Sequence, residues 1–315
     1  HKTQGNLNNE LGVPLTLLSM PEDTEAAVIE MGISDFGEMT RLSEMVQPTI
    51  CVLTIIGECH LKNLGDRDGV LKAKTEMFKN ARKNADFILN GDDDKLSTVK
   101  TVNGKKPVFF GLDAKNDFYA KNIKNSGDGK VLATLCFDNN DIDVEIPAIG
   151  TYMVTNALAA AGKLLGLTDE EIANGVASYK TVGSRANVID TGKIKIIDDC
   201  YNANPTSVRA SLDTLSNLDG RKVAILGDMK ELGSEELKLH FDTGVYAKSK
   251  DIGTVITVGE LAKELAKGAD GKAFDTIEDA KSEILKTIKS GDVVLVKASH
   301  SMQFENIVEF LKQNF

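Results

Sequence analysis

The stretch VLTIIGECHLKNLGDRDGVLKAKTEMF, from Val52 to Phe78, places three polar side chains where they could do chemistry. An apolar strand is predicted to end at Gly57, and Glu58 and His60 follow it directly. Lys74 comes fourteen residues after His60, on a predicted helix. A carboxylate and an imidazole at the mouth of a strand can bind a divalent cation, with phosphate oxygens completing its coordination. The pattern therefore indicates a metal–nucleotide site.

Further polar residues follow two other predicted strands of this region. Glu30 ends the stretch VIE, and Asn90, Asp92 and Asp93 follow the stretch FIL. Ligands of open α/β sheets bind beyond the carboxyl ends of the strands. Solvation of the sheet edge would account for any one of these side chains taken singly. The set as a whole favours a binding site.

Lys74 lies near the apolar side of its predicted helix. Val70 comes one turn before it and Phe78 one turn after it, so the lysine side chain starts near the buried face. A lysine at such a position is paired, extends its ammonium group to solvent, or is chemically modified. Physical chemistry alone favours extension to solvent.

The stretch IIDDCYNANPTSV places polar residues after a buried strand in the second half of the chain. The adjacent carboxylates of Asp198 and Asp199 repel each other, and a hydroxyl-rich or cationic ligand would explain them. Asn204 precedes Pro205 and is predicted to cap a helix, a role that needs no ligand. A second small-molecule site is predicted here, because polar residues also end two further strands: Asp228, Lys297, Ser299 and His300.

Two other features have both a structural and a functional interpretation. The loop KTQGNLNNELG carries the side-chain amides of Asn6, Asn8 and Asn9, which either form a turn before a helix or recognise a polar substrate. His240 lies in a predicted amphipathic helix, where packing or a surface position is favoured over catalysis.

Composition limits the class of protein. The chain has 315 residues, of which 42% are apolar and 27% charged, as expected for two soluble globular domains. Its net charge of −10 argues against nucleic acid or an anionic membrane as the main partner. The four cysteines lack CxxC spacing, which fits a reducing cytosol without disulfides or zinc. No apolar run is long enough to span a bilayer, and no signal peptide is recognised.

Alternating strands and helices predict an α/β fold with two parallel-sheet domains. Residues 1–182 form the first domain, in which hairpins over 106–146 extend the sheet, and residues 183–315 form a second, Rossmann-like domain. Thr168 and Glu171 are predicted to form a capping box. The other predicted elements of the first domain are strands over 26–32, 49–56 and 86–90, a helix capped by Ser34, and helices over 67–81 and 151–166. In the second domain, strands KIKII, KVAIL, TVITV and DVVLV alternate with helices that start near Asn204, Ser234, Gly259, Thr276 and Ser301.

The sequence resembles the Mur ligases over nearly its whole length. The stretches that carry the resemblance are GNLNNELGVPLTLL, VIEMGISDFGEM, NALAAAGKLLG, IIDDCYNANPTSV and LGDMKELG. The resemblance implies a cytoplasmic, ATP- and Mg²⁺-dependent enzyme of peptidoglycan synthesis that forms an amide bond through an acyl phosphate. The asparagine-rich loop and residues 198–205 resemble those of the members that join D-alanyl-D-alanine to UDP-N-acetylmuramoyl-tripeptide. We expect a monomer.

The resemblance also implies roles for individual residues. The implied metal ligands are Glu30, His60 and Lys74, the last as a carbamate, and the implied catalytic residues are His60, Lys74 and Arg185. Asn156 is implied to bind adenine, Arg185 the ATP phosphates and Asp199 the ribose. Substrate contacts are implied for six residues: Asn6, Asn8, Asn9, Tyr201, Asn202 and Asn204.

Some positions depart from the family pattern. Tyr152 and Met153 weaken the expected contact at the start of the adenine-binding helix, and His300 stands where an arginine is expected. The phosphate-binding pattern G-x-x-x-x-G-K-[ST] is not found. We therefore expect a truncated or processed chain that is inactive alone. Two alternatives stay open: a family member with another amine substrate, and a non-catalytic binding module.

Overall fold

The apolar runs of the first half of the chain form one mixed sheet, in the order β1-β2-β3-β4-β5-β6. The structure is a computed structural model and describes residues 1–126, 129–137, 140–158, 164–181 and 183–315. Strands β1 to β4 are parallel, and β4, β5 and β6 are antiparallel. The strands are β1 Ile50–Leu53, β2 Asp86–Asn90, β3 Val108–Gly111, β4 Phe118–Asn125, β5 Val131–Phe137 and β6 Asn140–Ile146.

The helices of this domain connect and cover the sheet. They are α1 Gly12–Leu18, α2 Glu38–Val46, α3 Leu61–Leu64, α4 Arg67–Thr75, α5 Tyr152–Leu158 and α6 Asp169–Ala177, with 3₁₀ turns at Glu76–Asn80 and Leu96–Thr98. The capping box of Thr168 and Glu171 is confirmed. The predicted helix over 151–166 is described only in part, because residues 159–163 lie outside the described residues.

A second sheet has the order β11-β10-β9-β12-β8-β7, with only β7 antiparallel to its neighbour. Its strands are β7 Asn187–Asp190, β8 Lys195–Asp198, β9 Arg221–Gly227, β10 Thr254–Val258, β11 Lys272–Phe274 and β12 Asp292–Lys297. Its helices are α7 Pro205–Ser216, α8 Glu236–Ser249, α9 Ala262–Ala269, α10 Ile277–Thr287 and α11 Glu305–Asn314, with 3₁₀ turns at Gly233–Glu235 and His300–Met302. The predicted α/β class with two domains is confirmed.

The central parallel strands of each sheet are buried on both faces. In β2, Phe87 and Leu89 face one apolar core, while Ile88 between them faces another. In β9, Val223 and Ala224 divide in the same way between two further cores. These strands carry runs of consecutive apolar residues because neither of their faces meets water.

The predicted strand over 26–32 is wrong. Only Val28 pairs there, in an isolated bridge with Lys2, and Val28 is 70% exposed. The amide of Glu30 instead binds the side chain of Thr3 at 2.9 Å. An apolar run forms a buried strand only where neighbours pair with it and cover it, and this segment is exposed on the described part of the chain.

Two element ends also differ from the prediction. Ser34 does not cap a helix, because α2 begins at Glu38, after Gly37 in a left-handed conformation (φ 83°). The Glu38 carboxylate accepts the Ser34 amide at 2.6 Å instead. Strand β1 ends at Leu53 rather than near residue 56. The backbone groups of the next three residues form hydrogen bonds with polar side chains instead of with a neighbouring strand.

Residues 184–315 should fold without the rest of the chain. Two apolar cores enclose the β7–β12 sheet, so the segment can bury its own apolar surface. We expect one cooperative thermal transition for this segment, followed by circular dichroism. Leu295→Asp, at a fully buried position of β12, serves as the control that abolishes it. A wild-type segment without a cooperative transition would place the domain boundary elsewhere.

Candidate functional site

Polar side chains hold the three residues that follow β1. Asn90 Nδ2 donates to the Thr54 carbonyl at 2.9 Å, and Lys74 Nζ donates to the Ile55 carbonyl at 3.0 Å. The lysine predicted to extend to solvent therefore reaches back to the mouth of β1. Its ammonium group is paired with a carbonyl there, on a side chain of intermediate burial.

Asp93 fixes the end of this segment from the neighbouring strand. Its Oδ2 accepts the Ile56 amide at 2.9 Å, and its Oδ1 accepts the amides of Lys95 and Leu96. Arg67 Nε donates to the Ile56 carbonyl at 2.8 Å. Asp93 is buried and accepts three backbone amides, so it supports the site from beneath rather than facing a ligand.

Asp92 and Asn90 also form hydrogen bonds with other residues of the protein. Asn116 Nδ2 donates to Asp92 Oδ1 at 2.8 Å, and the Asp92 amide binds Asn90 Oδ1 at 2.9 Å. The polar residues after FIL therefore build the loop beyond β2.

His60 contacts the second domain. Its Nδ1 lies 2.5 Å from Glu231 Oε2, and the Glu231 carbonyl accepts the Lys62 amide at 3.2 Å. Both His60 (φ 52°) and Glu231 (φ 64°) have left-handed backbones, which are uncommon outside glycine. His60 Nδ1 and Glu231 Oε2 are close, but Nδ1 forms no hydrogen bond of good geometry with the carboxylate in this conformation. Sequence reasoning missed Glu231, although it lies three residues beyond Asp228 in a recognised stretch.

Glu58 makes a second contact between the domains. Its Oε2 accepts the Thr206 hydroxyl at 3.1 Å, and Thr206 lies in the first turn of α7. A side chain at Gly57 would press against the same threonine, at 3.2 Å from its oxygen. The loop after β1 is therefore packed against the start of α7.

The asparagine-rich loop contacts Glu30. Asn8 Nδ2 donates to Glu30 Oε1 at 2.8 Å. Asn9 Oδ1 accepts the amides of Leu11 and Gly12, so this asparagine forms the turn before α1. Asn6 is exposed, and its carbonyl accepts the Asn8 amide at 2.8 Å. Asn9 therefore has the structural role in the turn, and substrate recognition by this loop stays a prediction.

Asp199 is surrounded by donors from its own domain. Its Oδ1 accepts the Ala186 amide at 3.0 Å, and its Oδ2 accepts Lys297 Nζ at 2.6 Å and the Ser211 hydroxyl at 2.7 Å. A hydroxyl-rich or cationic ligand was predicted for the Asp198–Asp199 pair, and the protein itself supplies a cation there, the ammonium group of Lys297. Asp198 is buried and accepts the Cys200 amide at 3.3 Å.

Arg185 stacks on an aromatic ring. Its guanidinium carbon lies 3.9 Å from the centroid of the Tyr201 ring. The centroid of the His300 ring lies 6.0 Å from the same Tyr201 centroid. The Tyr201 amide donates to the Ser184 carbonyl at 3.0 Å. A stack of this kind holds an exposed arginine in one orientation.

The residues after Tyr201 shape the start of α7. Asn204 caps the helix by accepting the Ser207 amide at 2.8 Å, with Pro205 in the first turn, as predicted. Asn202 Oδ1 accepts the amide of Ala203 at 2.8 Å.

Asn156 is exposed on α5. At the start of the same helix, burial raises the pKa of Tyr152, and the negative charge of Asp199 adds to the shift. Helix α5 of the first domain therefore approaches the Asp199 cluster of the second.

The predicted metal ligands lie in three separate segments: Glu30 between α1 and α2, His60 just before α3, and Lys74 on α4. Within the described ranges, no three His, Cys, Asp or Glu side chains lie close enough together to hold a metal ion. Glu30 and His60 stay predicted magnesium ligands, since magnesium takes one or two protein ligands and completes its shell with phosphate oxygens and water.

His240 is buried in α8 and is structural. Its Nε2 accepts the Met229 amide at 2.9 Å, and its Nδ1 lies 2.6 Å from the Glu236 carbonyl. The neutral ring with its proton on Nδ1 satisfies both contacts. Burial lowers the pKa of His240. The predicted packing role agrees with this geometry.

We expect the free energy of unfolding to fall as the pH is lowered through about 6.5, the usual histidine value. The unfolded chain then binds a proton that folded His240 resists, so protonation favours unfolding. Urea titrations at several pH values measure the effect. His240→Gln should be less stable at neutral pH but should lack this part of the pH dependence. An unchanged slope in His240→Gln would show that other groups cause it.

Comparison with known proteins identifies the family. The family model of the Mur ligase middle domain matches residues 1–164, and that of the Mur ligase, glutamate ligase domain matches residues 184–300. The chain belongs to the Mur ligase family, which confirms the resemblance seen in the sequence.

Its relatives include UDP-N-acetylmuramoyl-tripeptide–D-alanyl-D-alanine ligase of Bacillus subtilis, with 36% identity over 99% of this chain and 69% of the relative. The crystal structure of MurF from Acinetobacter baumannii is similar with a TM-score of 0.93 and 30% identity, over 99% of this chain and 70% of that one. MurF from Thermotoga maritima, solved in complex with ADP, has a TM-score of 0.90 and 28% identity, over 100% of this chain and 73% of that one. No helix in the described part of the chain is long and apolar enough to cross a membrane.

Proposed function

We propose that this chain carries the middle and C-terminal domains of an ATP-dependent ligase that joins D-alanyl-D-alanine to UDP-N-acetylmuramoyl-tripeptide. The observation that carries the proposal is 36% identity to such a ligase over 99% of the chain. The family resemblance implies a cytoplasmic enzyme, and we propose separately that it is a monomer. Peptidoglycan synthesis is the process it serves.

The proposed reaction has two steps. The terminal carboxylate of the tripeptide attacks the γ-phosphorus of ATP, which gives an acyl phosphate and ADP. The free amine of D-alanyl-D-alanine then attacks the acyl carbon, loses a proton and displaces inorganic phosphate. Most of the catalytic effect in phosphoryl transfer comes from positioning and from stabilising developing negative charge.

Glu30 and His60 are the proposed magnesium ligands of the first domain. Asn8 orients the Glu30 carboxylate, and the Glu231 carboxylate lies beside Nδ1 of the His60 ring. Magnesium, when bound, neutralises charge on the transferred phosphoryl group. Lys74 reaches the same strand mouth through the Ile55 carbonyl, and we propose that it becomes a third ligand as a carbamate.

The second domain is proposed to complete the nucleotide site. Arg185 meets the ATP phosphates, and Tyr201 keeps its guanidinium in place. Asp199 accepts three donors, and a carboxylate has about four lone-pair positions, so one ribose hydroxyl can still bind. Asn156, exposed on α5, is proposed to bind adenine.

Substrate recognition is proposed for two loops. Asn6, Asn8 and Asn9 face the UDP-linked tripeptide, with Asn9 acting through the turn it forms. The segment from Tyr201 to Asn204 faces D-alanyl-D-alanine, with Asn202 and Asn204 shaping the backbone and Tyr201 offering its ring.

The test is ligation by the full-length enzyme, meaning a protein of the relatives' length that contains this chain. It is incubated with ATP, Mg²⁺, UDP-N-acetylmuramoyl-tripeptide and one amine at a time, and phosphate release and product mass are measured. We expect turnover with D-alanyl-D-alanine and not with L-alanine or D-glutamate. Turnover with another amine would identify a different amide ligase, and binding without turnover would identify a non-catalytic module.

A further inference from the structure

We propose that Lys297 is a positioning residue that holds Arg185 in the orientation required for nucleotide binding. This inference rests on the proposed role of Arg185 at the ATP phosphates. Lys297 does not contact Arg185. It acts through its contacts with the Asp199 side chain and the Asn202 carbonyl, which lie on either side of Tyr201 in the sequence. Arg185 stacks on the ring of Tyr201.

Lys297 is a buried cation with two defined partners. It ends β12, a central strand of the second sheet, and its side chain is only 4% exposed. Nζ donates to Asp199 Oδ2 at 2.6 Å and to the Asn202 carbonyl at 2.9 Å. A buried ammonium group is tolerated only when its hydrogen bonds are satisfied, so both contacts are strongly favoured. Lys297 thereby fixes positions 199 and 202 relative to the sheet.

The backbone on either side of Arg185 forms hydrogen bonds with Asp199 and Tyr201, in the segment that Lys297 holds. The Ala186 amide donates to Asp199 Oδ1 at 3.0 Å, and the Tyr201 amide donates to the Ser184 carbonyl at 3.0 Å. Arg185 is thus held by both neighbours along the chain. Ala186 has φ 53°, a left-handed conformation that is unfavourable for alanine and needs fixed contacts to persist.

A comparable pair in the same sheet lacks this connection. At the end of β9, Lys230 Nζ binds the buried Asp228 at 2.6 Å. Asp228 then accepts the Ala262 amide at 2.8 Å, at the start of α9. Pairing a strand-end aspartate with a lysine is therefore a repeated way of joining sheet and helix here. Only the Lys297 pair, of these two, leads to Arg185. The Lys230 side chain is 44% exposed and that of Lys297 only 4%, so Lys230→Met controls for the loss of a lysine–aspartate pair at a strand end, and not for the loss of a buried cation.

The first test needs no nucleotide. In the 315-residue chain, amide hydrogen exchange at Ala186 and Tyr201 is followed by NMR for the wild type, Lys297→Met and Lys230→Met. We expect Lys297→Met to raise the exchange rate of both amides about tenfold or more, the effect of losing a charge-assisted hydrogen bond. Lys230→Met should leave both rates unchanged. Wild-type protection of both amides in Lys297→Met would overturn the proposal.

Loss of the buried cation could unfold the domain, so a second variant is included. Lys297→Met combined with Asp199→Asn removes both charges and leaves no unpaired buried ion. Lost protection at Tyr201 in the folded double variant supports the proposal. Retained protection at Tyr201 there contradicts it.

The second test links Lys297 to Arg185 in the full-length enzyme. If Lys297 acts through Arg185, Lys297→Met should raise the KM for ATP about tenfold. Because Lys297 also holds Asp199, the double variant with Arg185→Ala should lose more than Arg185→Ala alone but clearly less than the product of the two single effects. Independent, multiplying effects would overturn the proposal. If Arg185→Ala itself leaves the KM and kcat for ATP unchanged, the proposed role of Arg185 fails, while the exchange experiment still decides the position of its backbone.

Discussion

In the full-length enzyme, replacing Lys74 with arginine should lower ligase activity by about 10³-fold or more. An unmodified positive charge 4 Å from another unit positive charge costs roughly 4 kcal/mol at an effective dielectric constant near 20, and more beside a divalent ion. Lys74 Nζ lies 3.0 Å from the Ile55 carbonyl at the strand mouth, so its charge is present where the metal is proposed to bind. A carbamate on this lysine reverses the sign of the charge, and arginine does not form a stable carbamate.

Two further variants make the experiment decisive. Lys74→Ala should also be inactive but should recover part of its activity when a short carboxylic acid is added. Lys72→Arg, an exposed lysine on the same helix, should stay within about twofold of the wild type. Steady-state phosphate release measures all three. Near-normal activity of Lys74→Arg would show that Lys74 binds no metal and only anchors the Ile55 carbonyl.

Replacing Asp93 with alanine should destabilise the first domain by about 3 kcal/mol or more. The change leaves the amides of Ile56, Lys95 and Leu96 without their acceptor in a buried setting, at about 1–3 kcal/mol for each unsatisfied group. The neighbouring Asp94 pairs with Arg67 at the surface, so Asp94→Ala should cost about 1 kcal/mol or less. Urea denaturation followed by circular dichroism compares the two variants. Equal stabilities would show that water replaces the lost Asp93 contacts.

Local signals in the sequence predicted much of the fold. The capping residues Thr168 and Asn204 were identified from the residue types that satisfy free amides at a helix start, and the structure confirms both. The apolar runs within β9 and β12 were recognised because each face of these strands must meet an apolar core. The stretch 26–32 has the same composition but few partners, and composition alone does not show whether a neighbour pairs with a strand.

The site was predicted less completely because its contacts are long-range. The sequence placed His60 after β1, Lys74 on the following helix and Asp199 just after β8, and the structure has them there. It did not indicate that Glu231 would contact His60, or that Lys297 would neutralise Asp199. Each of these pairs joins segments that are far apart along the chain, and no local pattern records their proximity. The arrangement of the folded sheets determines it.

The contact between His60 and Glu231 has a thermodynamic consequence. It joins a proposed metal ligand of one domain to a backbone turn of the other, so metal binding and domain orientation are linked. Linkage is reciprocal: if closing the domains raises the affinity for metal and nucleotide by some factor, bound metal and nucleotide favour closure by the same factor. A small molecule that wedges the two domains apart at Glu231 would therefore weaken nucleotide binding without occupying the nucleotide site.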